Sequence, residues 1–307
     1  MNILHIVPGL DEPWNGIAVA ARMIAAGQNA AVVESRSVTD GQIASADEVW
    51  VHSMWMPCVW RACWKTLRYH KRFVRMVHAN LDPVRLAYHG WKKRPVGPVE
   101  RFFLRRADAV VATCPAEVGW IRAYEPRVKR VDVIDMKKFF KLHGMSTSVK
   151  AAADKRGMEE NLHLLYLGRR HPLKGVEYLE EAVAKVNAVC SPRSAVTLRA
   201  VSNAFGTEKE KVWDWCDVLV LPTLSENFGL VVAEALERGK RAIVTDGAPA
   251  WSPSASATED KGNGNDYGGR LRYLSGYRNG SAERKVELLV EAIVDIQTEL
   301  FPKKGQE

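Results

Sequence analysis

Short runs of apolar and β-branched residues alternate along the chain with longer stretches in which apolar residues recur every three or four positions. The short runs are typical of strands buried on both faces, and the longer stretches are typical of amphipathic helices. Regular alternation of the two indicates parallel sheets, because neighbouring parallel strands need a crossover connection. The hydrophobic pattern therefore predicts an α/β fold.

The pattern divides the chain near residues 136–160, where periodicity weakens into a stretch rich in Ser, Thr, Lys and Ala. We therefore predict two domains, 1–140 and 141–307. The first contains predicted strands at 2–7, 31–35, 48–53, 73–78, 109–113 and 130–134, and helices at 17–26, 57–69, 99–106 and 115–123. The second contains predicted strands at 162–167, 195–201, 218–221 and 241–245, helices at 176–189, 228–237 and 283–298, and a polar loop at 252–269. Such sheets bind ligands beyond the carboxyl ends of their strands.

Positive charge is concentrated in one segment of the first domain. The whole chain of 307 residues has 44 Lys and Arg against 36 Asp and Glu, a net charge of +8. Between Arg61 and Arg106, however, 13 Lys and Arg are opposed only by Asp82 and Glu100, so this segment alone carries +11. Several of the 10 tryptophans lie in or beside it. A basic segment that is rich in tryptophan points to an anionic partner.

An anionic membrane surface is the partner that we expect for residues 60–106. Such a surface attracts each nearby Lys or Arg by about 1 kcal/mol, and tryptophan suits the membrane interface. The alternatives are a solvated helix face whose tryptophans belong to the core, and nucleic acid. Because no nucleic-acid-binding module is recognisable, a nucleic acid partner is not expected.

Several classes of protein are excluded. The chain has no run of about 18 apolar residues, so no transmembrane helix is predicted. Its first apolar run, at 2–7, is too short for the core of a signal peptide. Its 5 cysteines form no C-x-x-C pair, which argues against a disulfide framework and structural zinc. We therefore expect a cytoplasmic protein.

The segment 221–236, LPTLSENFGLVVAEAL, is the strongest candidate for a binding site. A buried strand ends in a turn that leads into a helix, so the free N–H groups and the positive end of the helix dipole favour an anion there. Glu226 and Glu234 flank the first helical turns, and carboxylates facing a cleft suit sugar hydroxyls. The alternative is that Glu226 caps the helix and Glu234 is solvated.

A second candidate segment follows the strand predicted at 162–167 and reads GRRHPLKG. Arg169 and Lys174 can place two cations at the end of this strand, which suits a diphosphate leaving group whose negative charge grows as the bond breaks. No hydroxyl residue follows Lys174, so the segment is not a Walker motif and P-loop hydrolysis of ATP is not expected. Taken alone, these side chains are better explained as solvated surface cations in a loop.

The order of these motifs resembles that of retaining glycosyltransferases of the GT-B fold, family 4 (glycosyl transferases group 1) type. The resemblance rests on GRRHPLKG, SENFGLVVAEAL and the segment GAPAW at 247–251. In the first half, PGLDEPWNGI, VHSMW, HANLDP, WKK and RADAVVAT are similar to the subgroup that builds surface polysaccharide and lipopolysaccharide. The resemblance implies two Rossmann-like domains that face each other across a cleft, the second one abbreviated: an N-terminal acceptor-side domain and a C-terminal nucleotide-sugar-binding domain.

The resemblance also implies roles for individual residues. Arg169 and Lys174 would hold the donor diphosphate, and Glu234 would hold the ribose. His78 would be the active-site histidine near the donor sugar, with His52 as the fallback. The remaining donor-binding residues implied are Gly16 in the first loop, and Glu226 with the backbone of Asn227, Phe228, Gly229 and Leu230. Of all these, His78, Glu226, Arg169 and Lys174 are the expected catalytic residues.

The implied activity is transfer of a sugar, with retention of configuration, from a UDP- or GDP-type sugar to a hydroxyl of a lipid-linked glycan or lipopolysaccharide-type acceptor. This would take place at the inner face of the plasma membrane. The nucleotide sugar is a co-substrate, and no cofactor is expected. No metal is expected either, since two basic side chains can replace Mg²⁺ on the diphosphate. The alternative is a catalytically reduced protein that binds sugar nucleotides or acts as a scaffold.

Overall fold

The computed structural model describes residues 1–140, 161–189, 195–202, 204–253, 267 and 269–301. It shows an α/β protein with two parallel sheets, which confirms the predicted fold class. The chain separates into two compact units, Met1–Phe139 and Phe140–Glu307, and each contains one of the sheets.

Six described strands form the sheet of the first unit. They are β1 (Ile3–Val7), β2 (Ala31–Glu34), β3 (Glu48–His52), β4 (Arg72–Met76), β5 (Ala109–Ala112) and β6 (Val131–Val133). All pair in parallel, in the order β2-β1-β3-β4-β5-β6. Every residue of β1, β3 and β5 is buried, as expected where helices cover both faces of a parallel sheet.

The described helices of the first unit are α1 (Gly16–Gln28), α2 (Asp40–Ser45), α3 (Pro57–Arg68), α4 (Pro83–Lys93), α5 (Gly97–Arg106) and α6 (Pro115–Tyr124). Proline lies in the first turn of α3, α4, α5 and α6, where its missing N–H costs no intrahelical hydrogen bond. In α2, Thr39 and Gln42 form a reciprocal capping box. These local signals set where the connections between strands and helices fall.

The second unit holds a smaller parallel sheet with five described strands. They are β7 (Leu162–Leu167), β8 (Val196–Val201), β9 (Val218–Leu221), β10 (Arg241–Thr245) and β11 (Leu271–Leu274), in the order β11-β10-β9-β7-β8. Its described helices are α7 (Val176–Val189), α8 (Gly206–Trp215), α9 (Leu230–Glu237) and α10 (Ala282–Leu300). Helix α10 packs against α7, and both contribute buried apolar residues, such as Leu289 and Leu179, to one core.

Every strand predicted from the sequence is present, with ends that differ by at most a few residues. The sequence pattern does not predict α2, α4, α8 or β11. Helix α4 has apolar residues at helical spacing, Val84, Ala87, Tyr88 and Trp91, but none of its residues is buried. Helix α9 begins at Leu230 rather than at the predicted residue 228, because Gly229 takes a left-handed conformation that interrupts the helix.

Two further observations concern the limits of the described chain. Most of the polar loop predicted at 252–269 lies outside the described residues. None of the helices in the described ranges is both long and apolar enough to cross a membrane.

Candidate functional site

In the second unit, the loops that follow β7, β9 and β10 meet at the carboxyl end of the sheet. The loop after β9 bonds to both neighbours through its backbone: Leu224 N donates to Leu173 O at 2.9 Å, and Glu226 N donates to Gly247 O at 2.8 Å. This is the edge of a parallel sheet at which ligands bind in such folds.

Two glycines permit this junction of loops. A Cβ atom on Gly175 would lie 2.2 Å from Pro222 O, and a Cβ atom on Gly247 would lie 2.0 Å from Thr223 O. Both distances are far inside van der Waals contact with backbone, which cannot move aside as a flexible side chain can. Gly175 and Gly247 are therefore needed to bring the predicted site residues together.

Lys174 and Glu226 form an ion pair across the junction. Their side chains are 17% and 21% exposed, so the pair is shielded from water but still reachable by a ligand. Glu226 Oε1 also accepts a hydrogen bond from Asn227 N at 2.9 Å. The sequence predicted Lys174 and Glu226 as separate site residues, but it did not predict that their side chains contact each other. Either partner can leave the pair to bind a ligand. The ammonium group of Lys174 can bind an anion, and the carboxylate of Glu226 can accept hydrogen bonds from hydroxyl groups.

The N-terminus of α9 adjoins this pair. Gly229 is the N-cap with φ 71°, and an added Cβ there would lie 3.5 Å from Glu226 Cγ. Val232 N donates to Gly229 O at 2.9 Å, and no side chain caps the helix, so the N–H groups that precede Val232 in the first turn are left to solvent or a ligand. Phe228 is buried, and its ring packs against that of Trp251 with centroids 5.0 Å apart. The side chain of Phe228 therefore contributes to packing.

Glu234 lies in the second turn of α9 and pairs with Lys209 of α8 at 2.7 Å. The two side chains are 21% and 26% exposed. Sequence reasoning missed Lys209, because the helix that carries it was not recognised and no local spacing links it to Glu234. The carboxylate predicted to bind ribose is thus held by a lysine, as Glu226 is.

Arg169 follows Gly168 at the end of β7, and its side chain is exposed. Its backbone carbonyl accepts a hydrogen bond of 2.7 Å from the hydroxyl of Tyr166, whose pKa is raised by burial. Within the described ranges, no carboxylate forms an ion pair with Arg169, whereas its neighbour Arg170 pairs with Glu180. Of these two adjacent arginines, Arg169 is therefore the one whose charge is available to bind an anion.

The first unit holds the other two predicted site residues, Gly16 and His78. Gly16 is exposed and is the first residue of α1. Its loop is closed by Asn15, whose Oδ1 accepts from Ile17 N and whose Nδ2 donates to Pro8 O at 2.7 Å. His78 lies just after β4, on a different strand connection, and is buried.

The loops that follow β3 and β4 are strained. His78 and Ala79 have φ of 52° and 54°, and Ser53 and Trp55 both have φ of 70°. Residues other than glycine rarely adopt this left-handed conformation, and where they do, the surroundings must hold them there. Such strain gathers at functional sites, which supports the choice of His78 and of the fallback His52 at the end of β3.

Glu117, on α6, anchors the loop that carries His78. Its carboxylate accepts a hydrogen bond from Ala79 N, and it also accepts from Thr113 N at 2.7 Å and from the Thr113 hydroxyl at 2.9 Å. Burial raises the pKa of Glu117, while these donors favour its charged form. Sequence reasoning missed this residue, because its acceptor role depends on the adjacency of β4 and β5.

His78 is the end of a row of three buried histidines. His52 Nδ1 lies 2.8 Å from His78 Nε2, and His5 Nδ1 lies 2.8 Å from His52 Nε2. Burial lowers the pKa of His78 to about 3 and that of His5 to about 4, and the pKa of His52 is also well below its usual value. All three imidazoles are therefore neutral near pH 7.

The basic segment of the first unit is almost entirely at the surface. Of its 13 cations, only Arg75 is buried. Trp91 on α4 is 72% exposed and Trp64 on α3 is 58% exposed, whereas Trp60 packs against the core. Nine of the cations lie on α3, α4 and α5 with the exposed Trp64 and Trp91, and Arg94 lies between α4 and α5. We call the exposed side chains of these residues the basic face.

Within the described ranges, no group of three or more His, Cys, Asp or Glu side chains has the arrangement of a metal site. The expectation of a metal-free site remains a prediction.

The fold is that of GT-B glycosyltransferase structures. The structure of HepE from Anabaena in complex with UDP-glucose is 16% identical to this chain, with a TM-score of 0.64 over 98% of this chain and 92% of HepE. WaaG, a glycosyltransferase involved in lipopolysaccharide biosynthesis, is 13% identical, with a TM-score of 0.60 over 97% of this chain and 92% of WaaG. Sucrose-phosphate synthase from Thermosynechococcus elongatus is 13% identical, with a TM-score of 0.58 over 96% and 90%.

At the level of sequence, residues 44–136 match the family described as "Glycosyl transferase 4-like domain". The matched segment lies in the first unit and includes the loops after β3 and β4 and the whole basic face. No curated protein matches the chain.

Proposed function

We propose that this protein is a retaining glycosyltransferase. It transfers a hexosyl group from a UDP- or GDP-type sugar to a hydroxyl of a lipid-linked glycan or lipopolysaccharide-type acceptor, without a metal ion. The observation that carries the proposal is the Lys174–Glu226 pair at the carboxyl end of the second sheet, beside the N-terminus of α9. The glycosyl transferase 4-like match of residues 44–136 and the neighbours HepE, in complex with UDP-glucose, and WaaG support it.

In this proposal the donor diphosphate displaces Glu226 from Lys174. Lys174, Arg169 and the first N–H groups of α9 then stabilise the negative charge that grows on the leaving group. The released Glu226 carboxylate accepts hydrogen bonds from hydroxyls of the donor sugar, and Glu234 does the same for the ribose. Gly16 and His78 are the residues of the first unit that we assign to the donor, as the resemblance implies.

Retention in this proposal follows from attack on the face of the sugar that the diphosphate leaves. The acceptor oxygen forms the new bond to the anomeric carbon as the bond to the diphosphate breaks, and the departing phosphate takes the proton of the hydroxyl. Because the acceptor attacks the face that the diphosphate leaves, no covalent bond to Glu226 is needed, and Glu226 serves to position the sugar.

Donor binding tests the proposal. A nucleotide sugar at 100 times its Kd should stabilise the protein by about 2.7 kcal/mol, visible as a rise in Tm. We expect a shift with UDP- or GDP-sugars, slow hydrolysis of the same donor, and loss of that hydrolysis in Glu226→Ala. If the protein binds a nucleotide sugar without turnover, and Glu226→Ala does not change that binding, the result would support the scaffold alternative. No shift with any nucleotide sugar would overturn both readings.

Membrane association is the second prediction. The basic face should bind vesicles that contain anionic lipid, and added salt should weaken this binding. Replacing Lys92 and Arg94 by glutamine should remove about 2 kcal/mol of attraction, a drop of roughly 30-fold in partitioning. Lys185→Gln, on α7 of the second unit, is the matched control and should change nothing. Equal pelleting with neutral and anionic vesicles would contradict this prediction.

A further inference from the structure

A continuous chain of hydrogen bonds runs across the first sheet from Gln28 to His78. Gln28 Oε1 lies 2.8 Å from His5 Nε2, and the two further links, His5 to His52 and His52 to His78, are also 2.8 Å. The three histidines come from β1, β3 and the end of β4, which are neighbours in the sheet. Gln28 is the last residue of α1 and is half-buried, so the chain joins the edge of the helix to the strained loop after β4.

The three rings are held in place. His5 and His52 are fully buried, and His78 is 2% exposed. Trp50 stacks on His5 with ring centroids 5.0 Å apart and an interplanar angle of 23°. Packing of this kind restrains the rings, and their protons can change position without any movement of the rings.

The protons in this chain must all point the same way. A neutral imidazole carries one N–H donor and one bare acceptor nitrogen, so each link fixes the next. Because Gln28 Oε1 is a carbonyl oxygen that can only accept, His5 Nε2 carries the proton, and so in turn do His52 Nε2 and His78 Nε2. His78 Nδ1 is then the acceptor nitrogen of its ring. If the Gln28 amide group presents its NH₂ instead, all three protons move to Nδ1 and His78 Nδ1 becomes a donor.

We propose that Gln28, His5 and His52 are positioning residues that set the tautomer of His78 and hold its Nδ1 as a hydrogen-bond acceptor. Each ring is neutral in both arrangements, because it carries a single proton, either on Nδ1 or on Nε2. The consequence for catalysis rests on the proposed function: an acceptor nitrogen at the end of β4 can receive a hydrogen bond from a sugar hydroxyl, and a donor nitrogen cannot.

Opposite substitutions at Gln28 test the relay. In Gln28→Glu the carboxylate can only accept, and in Gln28→Lys the ammonium group can only donate. With ¹⁵N-labelled histidine, two-bond ¹H–¹⁵N correlation spectra distinguish Nδ1–H from Nε2–H in each ring. At alkaline pH, where the added carboxylate leaves His5 neutral, we expect Nε2–H on all three rings in the wild type and in Gln28→Glu. In Gln28→Lys we expect Nδ1–H on all three.

The relay is overturned if His78 keeps the same tautomer in Gln28→Glu and Gln28→Lys. Should Gln28→Lys fail to fold, a wild-type spectrum with Nδ1–H on any of the three rings would overturn it equally. Turnover is a separate readout: Gln28→Lys should lower kcat about tenfold, the loss of one hydrogen bond, with little change in KM, while Gln28→Glu retains activity. If the tautomers behave as expected but no form of the protein transfers sugar, the proposed function fails and the relay stands.

Discussion

Replacing Lys174 by alanine is expected to slow sugar transfer by about 10²–10³-fold, the usual loss when one preorganised group that stabilises a developing oxyanion is removed. Lys174 is held in the junction of loops by Glu226, and it is the partly buried cation of the candidate site. Its interaction with the leaving diphosphate grows as the bond breaks, so the loss should fall mainly on kcat. The measurement is the initial rate of donor hydrolysis or of transfer at saturating donor.

A neighbouring pair of arginines offers the matched comparison for this result. Arg169→Ala should also lower the rate, whereas Arg170→Ala should leave it unchanged, because Arg170 is engaged by Glu180 at the surface. Lys174→Arg should recover part of the activity, since it restores the charge but not the shape. Equal effects of Arg169→Ala and Arg170→Ala, or a Lys174→Ala variant as active as the wild type, would contradict the assignment of the donor site.

Replacing Arg75 by methionine is expected to destabilise the first unit by about 3–5 kcal/mol, because it leaves a buried carboxylate without its partner. Arg75 Nη2 lies 3.0 Å from Glu100 Oε2, and neither side chain is exposed to solvent. Glu100 also accepts hydrogen bonds from Trp55 N and from Trp60 Nε1, the latter at 2.8 Å. Urea unfolding followed by tryptophan fluorescence gives the free energy of unfolding.

The double variant Arg75→Met with Glu100→Gln separates a lost ion pair from general damage. Glutamine keeps a carbonyl oxygen for the two tryptophan N–H groups and removes the charge, so most of the lost stability should return. Arg130→Met is the matched control in the same unit: Arg130 pairs with Asp132 at 2.7 Å, both side chains are exposed, and we expect a change below about 1 kcal/mol. A double variant no more stable than Arg75→Met would show that packing, not charge, carries the effect.

This buried pair also bears on the candidate site. Trp55, whose backbone N–H Glu100 holds, has φ of 70° and lies three residues after His52. The Arg75–Glu100 pair thus supports the strained loop after β3, as Glu117 supports the loop after β4. Glu100 of α5 and Glu117 of α6 thus hold the loops that follow β3 and β4. The histidine row runs from β1 to the ends of these two strands.

Sequence reasoning could reach those parts of the fold and site that depend on local patterns. The described strands other than β11 were predictable because their apolar runs are nearly continuous. Arg169, Lys174 and Glu226 were selected because each lies in a loop that follows a strand, and Glu234 because it lies in the helix after such a loop. Helix α4, which buries none of its residues, was not predicted. Lys209, Glu117 and Gln28 were missed for another reason: each acts through a partner that is distant in sequence, and no spacing rule connects the two.

By itself, then, the sequence determined the α/β class, most of the strands and helices in their order, and the strand ends at which charged residues gather. These follow from periodicity and turn chemistry, which act over a few residues. Only the tertiary structure decided that Lys174 meets Glu226, that Lys209 meets Glu234, and that three histidines from separate strands form one hydrogen-bonded row. Such contacts depend on which strands become neighbours, and burial of the whole sheet, rather than any local preference, makes that choice.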